Sequence, residues 1–184
     1  MRRKDREMGV DFALHIIDKA DFATLAVMDE KGSPYAIPIS PVRIGNKIYI
    51  HSAKGGQKVD LFFDGARVCM VFVGRVQVPE LYSDTELDAM ATDETKASLL
   101  ARKVFTTEFE SAVVKGNISL IKEEAERREA FTALCHKYCP SKERLVESAI
   151  QAGGSRANIY AISIAEITAK RKQYDSNGEE IKSV

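Results

Sequence analysis

The chain has 184 residues, enough for one self-sufficient core, with 45% hydrophobic and 29% charged residues. Lys plus Arg and Asp plus Glu number 27 each, so the net charge is zero; no global field recruits a polyanion, and nucleic acid is not an expected partner. The opening Met1-Arg2-Arg3-Lys4-Asp5-Arg6-Glu7 is no apolar signal stretch, no later run reaches the ~20 apolar residues of a membrane span, and three cysteines build no disulfide framework, so a cytoplasmic location off the membrane is expected.

Residues 11–19 predict a short helix, with Phe12, Ala13, Ile16 and Ile17 three to four apart. Ala23 to Met28 is an apolar strand, closed by the turn chemistry of Asp29-Glu30-Lys31-Gly32-Ser33-Pro34. Tyr35 to Arg43 returns as a strand, Gly45-Asn46 reverses it, and Lys47 to Ser52 follows, with Ile48 and Ile50 on one face and Tyr49 and His51 on the other. Such short turns predict an antiparallel meander, because parallel strands need long crossovers. A short helix over Gly55 to Phe63 and a strand over Arg67 to Val73 come next.

Pro79 then opens a polar, Ala-rich helical insertion of about 79–104. Phe105 to Ile121 is a long strand in which Gly116 marks a bend or bulge. Glu123 to Tyr138 is an amphipathic helix with Phe131, Leu134, Cys135 and Tyr138 on one stripe, ended by Pro140. A helix over Lys142 to Ala152, a last strand over Asn158 to Thr168 and a polar, frayed tail from about 170 complete the chain. The expected fold is mainly β: one domain over 1–184, an antiparallel six-stranded split β-barrel with peripheral helices.

Chemistry concentrates between Pro34 and Lys58. Pro38 and Pro41 remove two donors from one strand, which suits an edge or irregular strand beside a ligand; an edge merely protected from pairing fits as well. Further on, a strand delivers His51 and Ser52, the small residues Ala53, Gly55 and Gly56 let main-chain amides approach a ligand, and Gln57 and Lys58 open a helix. With the Ser52 hydroxyl and the Lys58 ammonium this makes a phosphate cradle, or else an ordinary Gly-rich loop. It is no P-loop, since Val59 follows Lys58, and no dinucleotide Gly-x-Gly-x-x-Gly occurs.

The series Gly-x-Pro-x-x-x-Pro (Gly32 to Pro38), then Tyr-x-His-Ser-Ala-Lys-Gly-Gly-x-Lys (Tyr49 to Lys58), resembles the Nim-type branch, associated with 5-nitroimidazole resistance, of the pyridoxamine 5′-phosphate oxidase-like superfamily. Arg2 to Arg6, Asp18 to Phe22 and Glu110 to Gly116 add similar pieces in the same order. The resemblance implies a split-barrel homodimer holding flavin mononucleotide (FMN) at the interface. It sets Pro38, Ile39, Ser40, Pro41 and Val42 along the flavin ring, His51 and Ser52 beside the ribityl chain or ring, and counts Ala53 among the cofactor-binding residues. Gln57 and Lys58 then fall at the phosphate, and Ser111 reaches in from the second subunit. The implied activity is a flavin-dependent oxidoreductase, nitroreductase-like, acting on a small molecule with NAD(P)H as donor; the alternative is a non-catalytic flavin or haem binding protein. Pyridoxamine phosphate oxidases proper end in a basic segment with Arg and His, whereas no histidine follows His136 here, which argues against vitamin B6 oxidation.

His51 is the candidate catalytic residue, since imidazole exchanges protons near neutral pH. Cys135, His136 and Cys139 are not expected to hold a metal: on a helix His136 points about 100° from Cys135, and no second cluster completes a tetrahedral site.

Overall fold

The computed structural model describes residues 2–183. In chain order the elements are β1 (Glu7–Met8), α1 (Val10–Lys19), β2 (Ala23–Met28), β3 (Pro34–Ile39), β4 (Val42–Ile44), β5 (Lys47–Ala53), α2 (Gln57–Leu61), β6 (Ala66–Gln77), α3 (Asp84–Ala91), α4 (Ala97–Leu99, continued by a π-helical turn, Leu100–Val104), β7 (Glu108–Leu120), α5 (Glu124–Tyr138), α6 (Val146–Gly153) and β8 (Ala157–Lys172). No helix is long and apolar enough to cross a membrane among the described residues.

The strands form one mainly antiparallel sheet in the order β3-β2-β6-β7-β8-β5-β4, with β1 added on β8. Eight strands replace the expected six, for two local reasons. Pro41 has no N–H to continue a ladder, so the expected strand from Tyr35 to Arg43 breaks into β3 and β4. Glu7 and Met8 are too short a run to show alternation, yet they pair with Lys170 and Ala169. The expected meander is also corrected: β3 pairs with β2 and β4 with β5, but β3 and β4 stand at opposite ends of the strand order. Only Ser40 and Pro41 separate them in the chain, so Ile39 and Val42 lie within about 11 Å, three Cα steps. The sheet is not closed by hydrogen bonds at that point.

The described residues group into two compact units, one of residues 17–72 and 113–167, the other of the remainder; β6, β7 and β8 have residues in both. In the first, strict alternation buries one face of each strand: Leu25 and Val27, Val68, Met70 and Phe72, Ile48 and Ile50, Tyr160 and Ile162. Phe62, just past α2, meets Tyr160 edge-on at 5.3 Å between ring centroids. On β5 and β8 the opposite face is covered too, because Ala130 and Leu134 of α5 pack on Val42, Tyr49, Ile159 and Ala161. Helix α5 is tied down by polar contacts as well. Arg127 donates to the Gly154 carbonyl at 2.9 Å and the Ala157 carbonyl at 3.1 Å, and Lys47 and Tyr49 share one carboxylate oxygen of Glu126, at 2.8 and 2.7 Å.

In the second unit, α3 starts with a capping box, Ser83 and Glu86 bonding each other's main-chain N–H. Over 170–183, where the sequence reads as a polar tail, the chain makes several pairings. Strand β8 runs to Lys172, Tyr174 bridges Glu180, and Arg6 and Lys182 form ion pairs with Glu180 and Asp5. Its alternating charges, each unremarkable alone, find partners far away in sequence.

Gly116 serves a close approach of chains. A Cβ there would collide with the Ser163 carbonyl of β8, in a sheet packed against the fully buried Ile162 side chain. Gly116→Ala should therefore lower stability by about 1–3 kcal/mol, the usual cost of overpacking, in urea unfolding followed by circular dichroism. An unchanged midpoint would mean that β8 moves aside freely.

Candidate functional site around strand β5

Strand β5 is paired unequally on its two sides. All seven of its residues pair with β8, from Lys47 opposite Ser163 to Ala53 opposite Ala157. Against β4 only Lys47, Ile48 and Tyr49 have partners. Continuing the β4 register would set Pro41 and Ser40 opposite Ile50 and His51, but the chain leaves there for β3, on the far end of the strand order. A split therefore opens between the Pro38 to Pro41 segment and the second half of β5, and Ile50 to Ala53 present an unpaired main-chain edge to it. Unpaired N–H and C=O groups on such an edge are ready to bind a ligand.

Of the expected site residues, Pro38, Ile39, Ser40, Pro41, Val42, His51, Ser52, Ala53, Gln57 and Lys58 all lie in the first unit, around this split. Pro38 is exposed on edge strand β3, Ile39, Pro41 and Val42 are buried, and Ser40 is half-buried. The proline on an edge strand agrees with the sequence reading. Ser52 is 3% exposed, and its hydroxyl donates to the Ala53 carbonyl at 2.8 Å, so the hydroxyl is buried and already paired. Residues Ala53 to Gln57 are exposed, and Gly56 stands at φ 99°, a conformation that favours glycine. Helix α2 spans only Gln57–Leu61, too short to contribute a useful dipole, so the positive charge there comes from side chains, the half-buried Lys58 and the exposed Lys54. Lys58 is half-buried and is not among the ion-paired lysines of the described residues, which are Lys47, Lys96, Lys103, Lys115 and Lys182. Ser111 belongs to the second unit and is half-buried on β7.

His51 and Tyr49 share the outer face of β5 but meet different surroundings. Helix α5 covers Tyr49, which is 4% exposed, and leaves His51 open to solvent. Partial burial by the surrounding chain, and secondarily the Lys58 ammonium, lowers the His51 pKa, so the imidazole is neutral at pH 7. Two contacts at the split had no sequence signal. The Pro41 carbonyl accepts from Lys137 at 2.9 Å and from the Tyr138 hydroxyl at 2.8 Å, partners nearly a hundred residues away. An open cavity of about 270 Å³, lined by Met28, Arg67, Cys69, Lys115 and Glu166 among others, includes none of the expected residues. Its Lys115 and Glu166 are already paired with each other at 2.8 Å. No group of three or more metal-ligating side chains occurs among the described residues.

The family described as pyridoxamine 5′-phosphate oxidase matches residues 10–85 and 80–171, nearly the whole sheet. The chain belongs to the pyridoxamine 5′-phosphate oxidase family. Solved structures share the fold at low identity. A candidate 5-nitroimidazole antibiotic resistance protein from Bacteroides thetaiotaomicron is 17% identical with a TM-score of 0.63, over 90% of this chain and 86% of that one. The FAD and heme binding protein from Mycobacterium smegmatis is 18% identical with a TM-score of 0.68, over 91% and 73%. The flavocytochrome Anf3 from Azotobacter vinelandii is 17% identical with a TM-score of 0.62, over 96% and 78%. No curated protein matches the chain. Within the pyridoxamine 5′-phosphate oxidase family, then, this chain has its unpaired β5 edge, its glycine loop and its uncommitted lysine in one compact unit.

The electrostatics of His51 are testable without a ligand. An NMR titration should give a midpoint below the about 6.5 of a free imidazole, and Lys58→Ala should move it upward. By linkage, the unfolded chain protonates His51 first, so this residue's contribution to stability declines as pH falls below the unfolded value. A midpoint at or above that of the free imidazole would contradict the described surroundings.

Proposed function

We propose that this chain is an FMN-binding split barrel, a flavin-dependent oxidoreductase acting on a small molecule with NAD(P)H as the donor class, working as a homodimer. The observation that carries the reading is the unpaired edge of β5 running directly into the exposed loop of Ala53 to Gly56 and then to Lys58. The donor set fits the cofactor. Main-chain groups of Ile50 to Ala53 suit a polar ring edge or ribityl hydroxyls, Ala53, Gly55 and Gly56 let main-chain amides come close, and Lys58 supplies a free cation for a phosphate. When bound, FMN would supply the hydride and electron chemistry. The protein's part is to orient, to limit access and to move protons. Few catalytic side chains are then needed, in keeping with a site holding one accessible imidazole. Ser111 is proposed to reach the flavin of the other subunit, as the family resemblance implies.

The phosphate assignment separates cleanly from a role in folding. Lys58→Ala should weaken FMN binding by roughly tenfold to a hundredfold, since a charge-assisted hydrogen bond is worth about 1.5–3 kcal/mol. Riboflavin, which has no phosphate, should bind the variant as it binds the wild type. Equal losses for both ligands would remove Lys58 from the phosphate site.

His51 is proposed as the proton-transfer group, being neutral at pH 7 and exposed on the face that α5 leaves open. His51→Ala should retain flavin and lose about 10²–10⁴ in turnover of a nitroaromatic or quinone acceptor with NAD(P)H. The same neutral, accessible nitrogen supports a second reading, a carrier in which His51 ligates haem iron. A Soret band on haemin addition that is altered in His51→Ala, with no wild-type turnover, would favour the carrier.

A further inference from the structure

Resting on the flavin reading above, we infer that Lys137 and Tyr138 are positioning residues: together they hold the Ser40–Pro41 corner that forms the ring side of the site. The corner has no ladder of its own. Pro38 and Pro41 lack N–H donors, β3 ends at Ile39 and β4 starts at Val42, so Ser40 and Pro41 fall outside both ladders. Its fixed point is the Pro41 carbonyl, whose two lone pairs are taken by the Lys137 ammonium at 2.9 Å and the Tyr138 hydroxyl at 2.8 Å.

Adjacent helical residues point about 100° apart, so their convergence on one oxygen is a specific arrangement at the last turn of α5. The helix behind them is well anchored, through Ala130 and Leu134 in the core and through Glu126 and Arg127 on neighbouring strands and loops. Burial lowers the Lys137 pKa and pushes that of Tyr138 up to about 12, so the phenol keeps its proton and remains a donor across the working pH range. Withdrawing these groups from water has a cost that a surface lysine avoids. The Pro41 carbonyl compensates both. The clamp thus sets the width of the split from the outside, without entering it.

The test uses the full chain with Lys137→Met, Tyr138→Phe and the double variant, each keeping most of the side-chain bulk, and Lys137→Arg as a conservative rescue. Dissociation constants for FMN and for riboflavin are measured by flavin fluorescence, together with the visible absorption maximum of the bound flavin and the thermal midpoint of the ligand-free protein. Each single variant should weaken both ligands by the same factor, about threefold to tenfold, and shift the absorption band, while Lys137→Arg restores both. This pattern differs from Lys58→Ala, where FMN alone is affected. If Lys137→Met fails to fold, Tyr138→Phe and Lys137→Arg still carry the comparison. Wild-type flavin binding with unchanged affinity and spectrum in the variants would overturn the clamp and leave the flavin reading standing. A wild type that binds neither ligand would overturn both.

Discussion

The unequal pairing of β5 is the constraint from which the site follows. A strand paired on both sides along its length has no main-chain group to offer. Here β8 takes one side completely, and β4 takes three residues of the other before Pro41 ends it. What remains is a strand edge with unpaired main-chain groups, followed by the loop of Ala53 to Gly56 and then Lys58. Had the break fallen two residues earlier in the chain, β4 could have paired on as far as His51 and closed the split. The site is in that sense a missing piece of sheet.

Two further contacts turn the split into a defined place. Gly116 lets the backbone of β8 approach β7 more closely than any side chain would permit, which settles β8 where it can pair with all of β5. Helix α5 then covers the outer face of β4, β5 and β8 up to Tyr49, and its last turn reaches Pro41. Coverage stops short of His51. One helix therefore has two effects: it buries the tyrosine of an alternating pair and leaves the histidine accessible, with its proton affinity lowered.

Much of this was legible in the sequence, where local chemistry dictates local structure. Alternation of Ile48 and Ile50 with Tyr49 and His51 set the two faces of β5, Gly45-Asn46 marked the hairpin, and the stripe of α5 named Phe131, Leu134 and Tyr138 among the residues that pack, though not the buried Ala130. The prolines at 38 and 41 correctly marked an irregular edge. Their larger consequence, a break that sends β3 and β4 to opposite ends of the strand order, depends on which partner each strand finds, and no periodicity records that. For the same reason the short β1, the Arg6 to Glu180 and Lys182 to Asp5 pairs of the tail, and the contacts on Pro41 were invisible: each joins residues far apart in sequence. Ser52 shows the limit within a motif. Its hydroxyl looked available for a phosphate, yet its place in the alternation, two residues after Ile50, turns it inward to the Ala53 carbonyl.

The central claim is that the split beside β5 holds FMN, and it is tested most directly by titrating the purified chain with FMN and following flavin fluorescence and visible absorption. The account requires saturable quenching at micromolar FMN or below, with a perturbed flavin spectrum and weaker binding of riboflavin than of FMN. Absence of quenching and of any spectral change at those concentrations, in a protein shown to be folded, would contradict it.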